Sequence, residues 1–186
     1  MKRSNFLFGF LAFLLAPMQV WARKVILRDE NGFKVKAGEG RIHGHIQLKG
    51  VNRNILDVKV SGSDTNGAFA IFEQSSLSQG KGTPLHLHTT QDESFYVLEG
   101  LYKFQLGDKK YDLSAGESIF LPRKVPHAWT QVSDKGKMMV ILQPAGKLEQ
   151  FFVTMAGLEH EPSQQEIAKI FADHEMQVVG PALKLN

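Results

Sequence analysis

Gly80-Lys81-Gly82-Thr83-Pro84-Leu85-His86-Leu87-His88, running on through Thr89-Thr90-Gln91-Asp92 to Glu93-Ser94-Phe95-Tyr96-Val97-Leu98-Glu99-Gly100, carries the pattern from which the rest of the chain can be read. Alternate residues of an extended strand project to one face, so His86 and His88 present both imidazoles to a single point. Thr89 to Asp92 is polar and turn-like, and Glu93 to Leu98 is rich in β-formers and reads as a second strand. A hairpin there is expected to bring the Glu93 carboxylate back beside the two histidines. Imidazole and carboxylate donors suit Fe, Mn, Ni, Cu or Zn, and no soft thiolate competes because the chain has no cysteine. A lone His-x-His pair means little. His43 and His45 form another, with no glutamate five residues on, and receive no ligand role.

A second stretch runs from Gly116 to Gln131. Gly116 closes a turn, Ser118 to Leu121 reads as a strand, and Pro122 and Pro126 bracket a rigid corner that cannot donate to a ladder. His127 opens a further strand, with Trp129 and Gln131 on its own face, and is the candidate third nitrogen ligand.

At these residues the chain resembles the cupin superfamily. The family's first motif is Gly, five residues, His-x-His, three or four residues, Glu, six residues, Gly, and Gly80, His86, His88, Glu93 and Gly100 match it in full. The second motif is matched at Gly116, Pro122 and His127, with Lys124 where a glycine is usual and Gln131 where an asparagine is usual. The resemblance implies an all-β cupin double-stranded β-helix, a jelly-roll barrel, with metal ligands at His86, His88, Glu93 and His127, and a homodimer through outer sheet surfaces. Lys124 stands where the turn normally needs a positive φ, which favours glycine. Phe95 to Gly100, and Gln143-Pro144-Ala145-Gly146 followed by Phe151-Phe152, look most like single-domain cupins related to quercetin 2,3-dioxygenase.

The ends read differently. Met1 to Ala22 combines Lys2-Arg3, an apolar core from Phe6 to Ala16 and a Val20-Trp21-Ala22 end, the layout of a secretory signal peptide. The expected destination is periplasmic or secreted; an uncleaved anchor is the runner-up, and the apolar core is short for a bilayer, so no stable membrane anchor is expected. Residues 23–146 then form the cupin barrel domain with its N-terminal strands, and 147–186 a helical extension packed on it. Lys and Arg number 22 against 19 Asp and Glu, a net charge of +3. Two of those cations are Lys2 and Arg3, so the remainder is nearly neutral and offers no basic surface for nucleic acid.

From Leu56 to Leu142 nine short apolar runs alternate with Gly, Asn, Asp and Ser: 56–60, 67–73, 85–88, 95–98, 102–106, 110–113, 118–121, 128–132 and 138–142. That spacing predicts a sandwich or barrel. Gly107-Asp108 is a tight hairpin turn. After Gly146 the period becomes helical, with Leu148, Phe151, Phe152 and Met155 on one stripe and Ile167, Ile170, Phe171 and His174 on another. Ser163 and Glu166 form a capping-box signal just after Pro162. The helices are expected on the outside or mouth of the barrel, with Met176 to Leu183 extended against the same surface. His160, in a polar loop, and His174, in a helix's last turn, receive no catalytic role.

Three histidines and one carboxylate would leave one or two positions open on a metal, as catalytic sites do. Candidate pocket residues are Phe95, Val97, Phe104, Trp129, Met139 and Ile141, though most of these are as well explained as barrel filling. The leading expectation is a dioxygenase holding one divalent transition metal (Fe, Mn, Ni or Cu, with Zn admitted) and acting on a small flavonol- or phenolic-like molecule. Glu93 would serve as ligand and general base, and Gln131 would orient substrate or bound water. Two rivals are a non-redox isomerase, lyase or hydrolase and a non-catalytic binding module. Arg123 and Lys124 are read as a solvated corner.

Overall fold

The computed structural model describes residues 31–185, so the leader-like segment lies outside the described residues. Among those residues no helix is long and apolar enough to cross a membrane. The strands are β1 (Ile46–Gln47), β2 (Ile55–Val60), β3 (Ala70–Ser76), β4 (Pro84–His88), β5 (Asp92–Glu99), β6 (Leu101–Leu106), β7 (Lys109–Ser114), β8 (Ser118–Leu121), β9 (His127–Gln131), β10 (Gly136–Gln143) and β11 (Met176–Ala182). A 3₁₀ turn at Gly62–Thr65 follows β2, and α1 (Leu148–Ala156) and α2 (Gln164–Asp173) precede β11.

Two antiparallel sheets result. One has the order β1-β2-β3-β10-β5-β8 and the other β11-β4-β9-β6-β7. Their inner faces bury Leu56, Val58, Phe72, Phe95, Val97, Phe104, Met138, Val140 and Leu142, the alternating set that period-two strands present to one side. The architecture is an all-β jelly roll with two C-terminal helices packed on it. All nine predicted runs correspond to strands, and Gly107 and Asp108 form the two-residue turn between Leu106 and its partner Lys109.

The structure differs from the expectation in three places. No hairpin joins β4 to β5: β4 pairs with β9 and β11, while β5 pairs with β10 and β8, so Thr89-Thr90-Gln91 crosses from one sheet to the other. A short polar link looks the same in sequence whether it turns within a sheet or crosses between two. The C-terminal segment is a full strand on the edge of the second sheet, with register shifts around Gly180 where its ladder is interrupted. Met139 and Ile141 stand on the outer face of β10, because Met138, Val140 and Leu142 take the inner one. Met139 lies opposite Tyr96, itself exposed, so neither pocket assignment on β10 holds.

Each helix buries one stripe. In α1 these are Leu148, Phe151, Phe152 and Met155, and in α2 Ile170 and Phe171. The Ser163 hydroxyl accepts the Glu166 N–H, capping α2, while the Glu166 carboxylate pairs with His160 at 3.0 Å. His174 closes α2 by donating from Nδ1 to the Ile170 carbonyl at 2.7 Å.

Candidate metal centre

Strand alternation puts His86 and His88 on the inner face of β4, and His127 lies directly opposite His86 on neighbouring β9. Three imidazoles thus come from one sheet. Glu93 enters from the other, on the inner face of β5 beside Leu121 and Leu142. Ligand atoms of the four side chains all lie within 4.8 Å of one another. Glu93 Oε2 is 3.2 Å from His127 Nε2 and 3.6 Å from His88 Nε2. All four residues are 1–5% exposed.

Hydrogen bonding fixes which nitrogen each ring offers. His86 Nδ1 lies 2.8 Å from the Pro84 carbonyl, and His127 Nδ1 3.0 Å from the Val125 carbonyl. A carbonyl oxygen only accepts, so both rings carry their proton on Nδ1 and turn the Nε2 lone pair inward. His88 Nδ1 faces Gln91 Oε1 at 3.3 Å. The buried Nε2 atoms of His88 and His127 have no hydrogen-bond partner. Burial together with the neighbouring histidines lowers the His86 pKa well below the ordinary imidazole value, and burial also lowers that of His88 despite the opposing pull of Glu93. Unpartnered buried ring nitrogens on His88 and His127, beside His86 and a buried carboxylate, are what a divalent ion requires. The residues present therefore fit one metal ion, held by His86, His88, Glu93 and His127.

The supporting frame joins both motif regions. Arg123 donates from Nε and Nη2 to the two Asp92 oxygens at 3.0 and 2.5 Å, and its backbone N–H adds a bond at 2.9 Å. That fork holds Asp92 down at about 2 and ties the corner before His127 to the residue before Glu93. Arg123 is thus a clasp rather than a free corner cation. Lys124 has φ 64, the left-handed conformation, and its N–H bonds the His88 carbonyl at 2.7 Å.

The remaining site candidates are placed as follows. Phe95, Val97, Phe104 and Trp129 are buried inside the barrel, with Phe95 and Phe104 ring centroids 5.2 Å apart and Trp129 edge-on to Tyr102 at 5.9 Å. Gln131 lies four positions from His127, about 13 Å along the strand. Its amide is consumed by backbone: Oε1 accepts the Ser78 N–H, and Nε2 donates toward the carbonyls of Ser76, Ser133 and Asp134. It straps the β3 and β9 ends together and has no group left for a substrate. His43 and His45 pair separately, with Glu149 and Asp57. Sequence reasoning missed Phe171, whose ring meets His86 edge-on at 5.2 Å, and Gln91 beside His88.

Residues 75–143 match the family described as cupin domain. An uncharacterised protein of Methanocaldococcus jannaschii is 40% identical over 48 residues, 26% of this chain and 38% of that protein. Quercetin 2,3-dioxygenase of Bacillus subtilis is 28% identical over 114 residues, 60% of this chain and 31% of that enzyme. The chain thus spans about a third of the length of these curated relatives. Among solved structures, the polyketide cyclase RemF from Streptomyces resistomycificus aligns with TM-score 0.48 and 22% identity, covering 60% of this chain and 80% of that one. A predicted oxalate decarboxylase from Thermotoga maritima aligns with TM-score 0.47 and 17% identity, over 50% of this chain and 82% of that one. With the family match spanning both motifs, residues 75–143 carry a cupin domain, and the chain resembles the quercetin-dioxygenase-like cupins.

Proposed function

We propose that this protein is a metal-dependent oxygenase acting on a small oxygenated organic molecule of the flavonol or phenolic kind. The observation that carries the reading is the four-residue set itself, three imidazoles and one carboxylate buried together, with the Nε2 atoms of His88 and His127 unpartnered. The likeness to quercetin 2,3-dioxygenase supports the substrate class. A bound metal would supply Lewis acidity toward a substrate oxygen and a place for dioxygen.

The chain's own residues do the rest. The Nδ1–H bonds of His86 and His127 hold their rings in register, so binding reorganises little. Glu93 Oε2, 3.2 Å from His127 Nε2, is the one carboxylate at the site and is placed to take the proton of a substrate hydroxyl. Phe171 and the barrel aromatics exclude water from that end. Because the four residues are nearly inaccessible, substrate entry requires the surrounding structure to open locally. Aerobic and anaerobic incubation of metal-loaded protein with a flavonol panel, read by oxygen electrode and product mass, tests the reading. Product that carries oxygen from ¹⁸O₂ supports it. Turnover unchanged without oxygen replaces it with an isomerase, lyase or hydrolase, and metal binding without turnover replaces it with a binding module.

A further inference from the structure

Two of the three metal-facing imidazoles take their tautomer from a backbone carbonyl two residues earlier; His88 takes it from a side chain. That side chain, Gln91, is fully buried, and an amide can present either its oxygen or its nitrogen to a ring. What fixes its direction lies far along the chain. Glu175, in the turn between α2 and β11, accepts from Gln91 Nε2 at 2.5 Å and from the Thr90 hydroxyl at 3.0 Å through one carboxylate oxygen. Its backbone carbonyl accepts both the N–H and the hydroxyl of Thr89, each at 2.9 Å. Gly146 also lies against the Gln91 amide, so close that a Cβ there would overlap its nitrogen.

A carboxylate only accepts, so the Gln91 NH₂ must face Glu175 and its oxygen must face His88 Nδ1. That oxygen also only accepts, which puts the His88 proton on Nδ1 and leaves Nε2 free. The constraint opposes a local preference. Glu93 Oε2 sits 3.6 Å from His88 Nε2 and would draw the proton to that nitrogen, the form that cannot bind a metal. We propose that Glu175 is a positioning residue for the metal centre: acting through Gln91, it holds His88 in the metal-binding tautomer and so couples the docked C-terminal segment to metal affinity. The proposal rests on the reading of these four residues as metal ligands.

Glu175→Gln tests it, because a second amide satisfies Gln91 in either orientation while keeping size and shape. Gln91→Leu is the companion, removing the oxygen that faces Nδ1. Two readouts are taken: ring ¹⁵N chemical shifts of the metal-free protein at about pH 8, where imidazoles are neutral, and Zn²⁺ competition against a chromophoric chelator. The expected result in both variants is an Nδ1-to-Nε2 proton shift at His88 alone, with His86 and His127 unchanged, and Zn²⁺ affinity lower by about 10- to 100-fold. Either variant keeping His88 on Nδ1–H, or shifting it with affinity within twofold of wild type, overturns the proposal. Wild-type protein that binds no Zn²⁺ instead defeats the metal reading, and the ring shifts still report on the tautomer.

Discussion

Lys124 is a side-chain-bearing residue at φ 64, and its backbone N–H holds the His88 carbonyl at 2.7 Å. The left-handed conformation costs such a residue about 1–2 kcal/mol, whereas glycine escapes that cost but gives up about 0.5–1 kcal/mol in chain entropy. Lys124→Gly is therefore expected to stabilise by about 0.5 kcal/mol, a Tm rise of roughly 1–2 °C in a thermal melt; a fall would contradict the argument. The turn geometry of the second motif survives without its glycine, which sequence alone left open. The ligands were legible because a strand's period of two is strict: His86 and His88 could converge only from one face. His127→Ala is expected to lose most bound metal by elemental analysis while keeping the β-type circular dichroism, since it removes one of four donors and leaves the ladder intact. Full stoichiometry in that variant would remove His127 from the set. Gln131 shared a face with His127, yet its backbone straps were invisible in sequence because they depend on which loop folds over it. Gln91 and Glu175, 84 positions apart, were hidden for the same reason.

At the scale of elements, the short strands carry the motifs and the C-terminal helices close the end of the site. The apolar runs identified nine strands because each is bounded by turn residues, while two-residue β1 is too short to leave a pattern. The extended segment after α2 gained its status as β11 from pairing with β4, a tertiary fact. Its consequence is that β4, which carries His86 and His88, is paired on both sides, with β9 and β11, and cannot slip in register without disturbing both ladders. Phe171 joins this element to the site: it is 1% exposed, 4.8 Å from Phe151 and 5.2 Å from His86. Phe171→Ala should cost about 3–5 kcal/mol by leaving a cavity between the helices and β4. Urea unfolding would measure it as a lower midpoint at unchanged slope. A loss under about 1 kcal/mol would mean α2 is held mainly by its cap and by β11 rather than by this ring.

For the whole molecule, the buried histidine cluster makes stability a function of pH, and an ion held there would add a dependence on metal. His86 and His88 have native pKa values lowered from 6.5 by burial, so on acidification the unfolded chain takes up protons first. A depressed native pKa contributes stability above the unfolded value that is lost as pH falls toward the native one. The metal-free protein should therefore melt at a steady temperature above about pH 7 and at falling temperature below about pH 6.5, with the carboxylates mostly outside that window. Asp92 in particular, held at about 2 by Arg123, contributes only in stronger acid. The slope assigned to the buried cluster is isolated by difference, since His86→Ala should flatten it while leaving the exposed histidines untouched. Added metal would act on the same rings: burial lowers the pKa of His86 and His88, so protons compete less for those two nitrogens and its stabilisation should hold level near neutral pH. At a free metal concentration of 100 times the dissociation constant that stabilisation is about 2.7 kcal/mol, roughly 5–10 °C in Tm by differential scanning fluorimetry. If the metal-free protein instead grows more stable between pH 7 and 5, or His86→Ala keeps the wild-type slope, the neutral buried cluster is not what sets the acid limit of this fold.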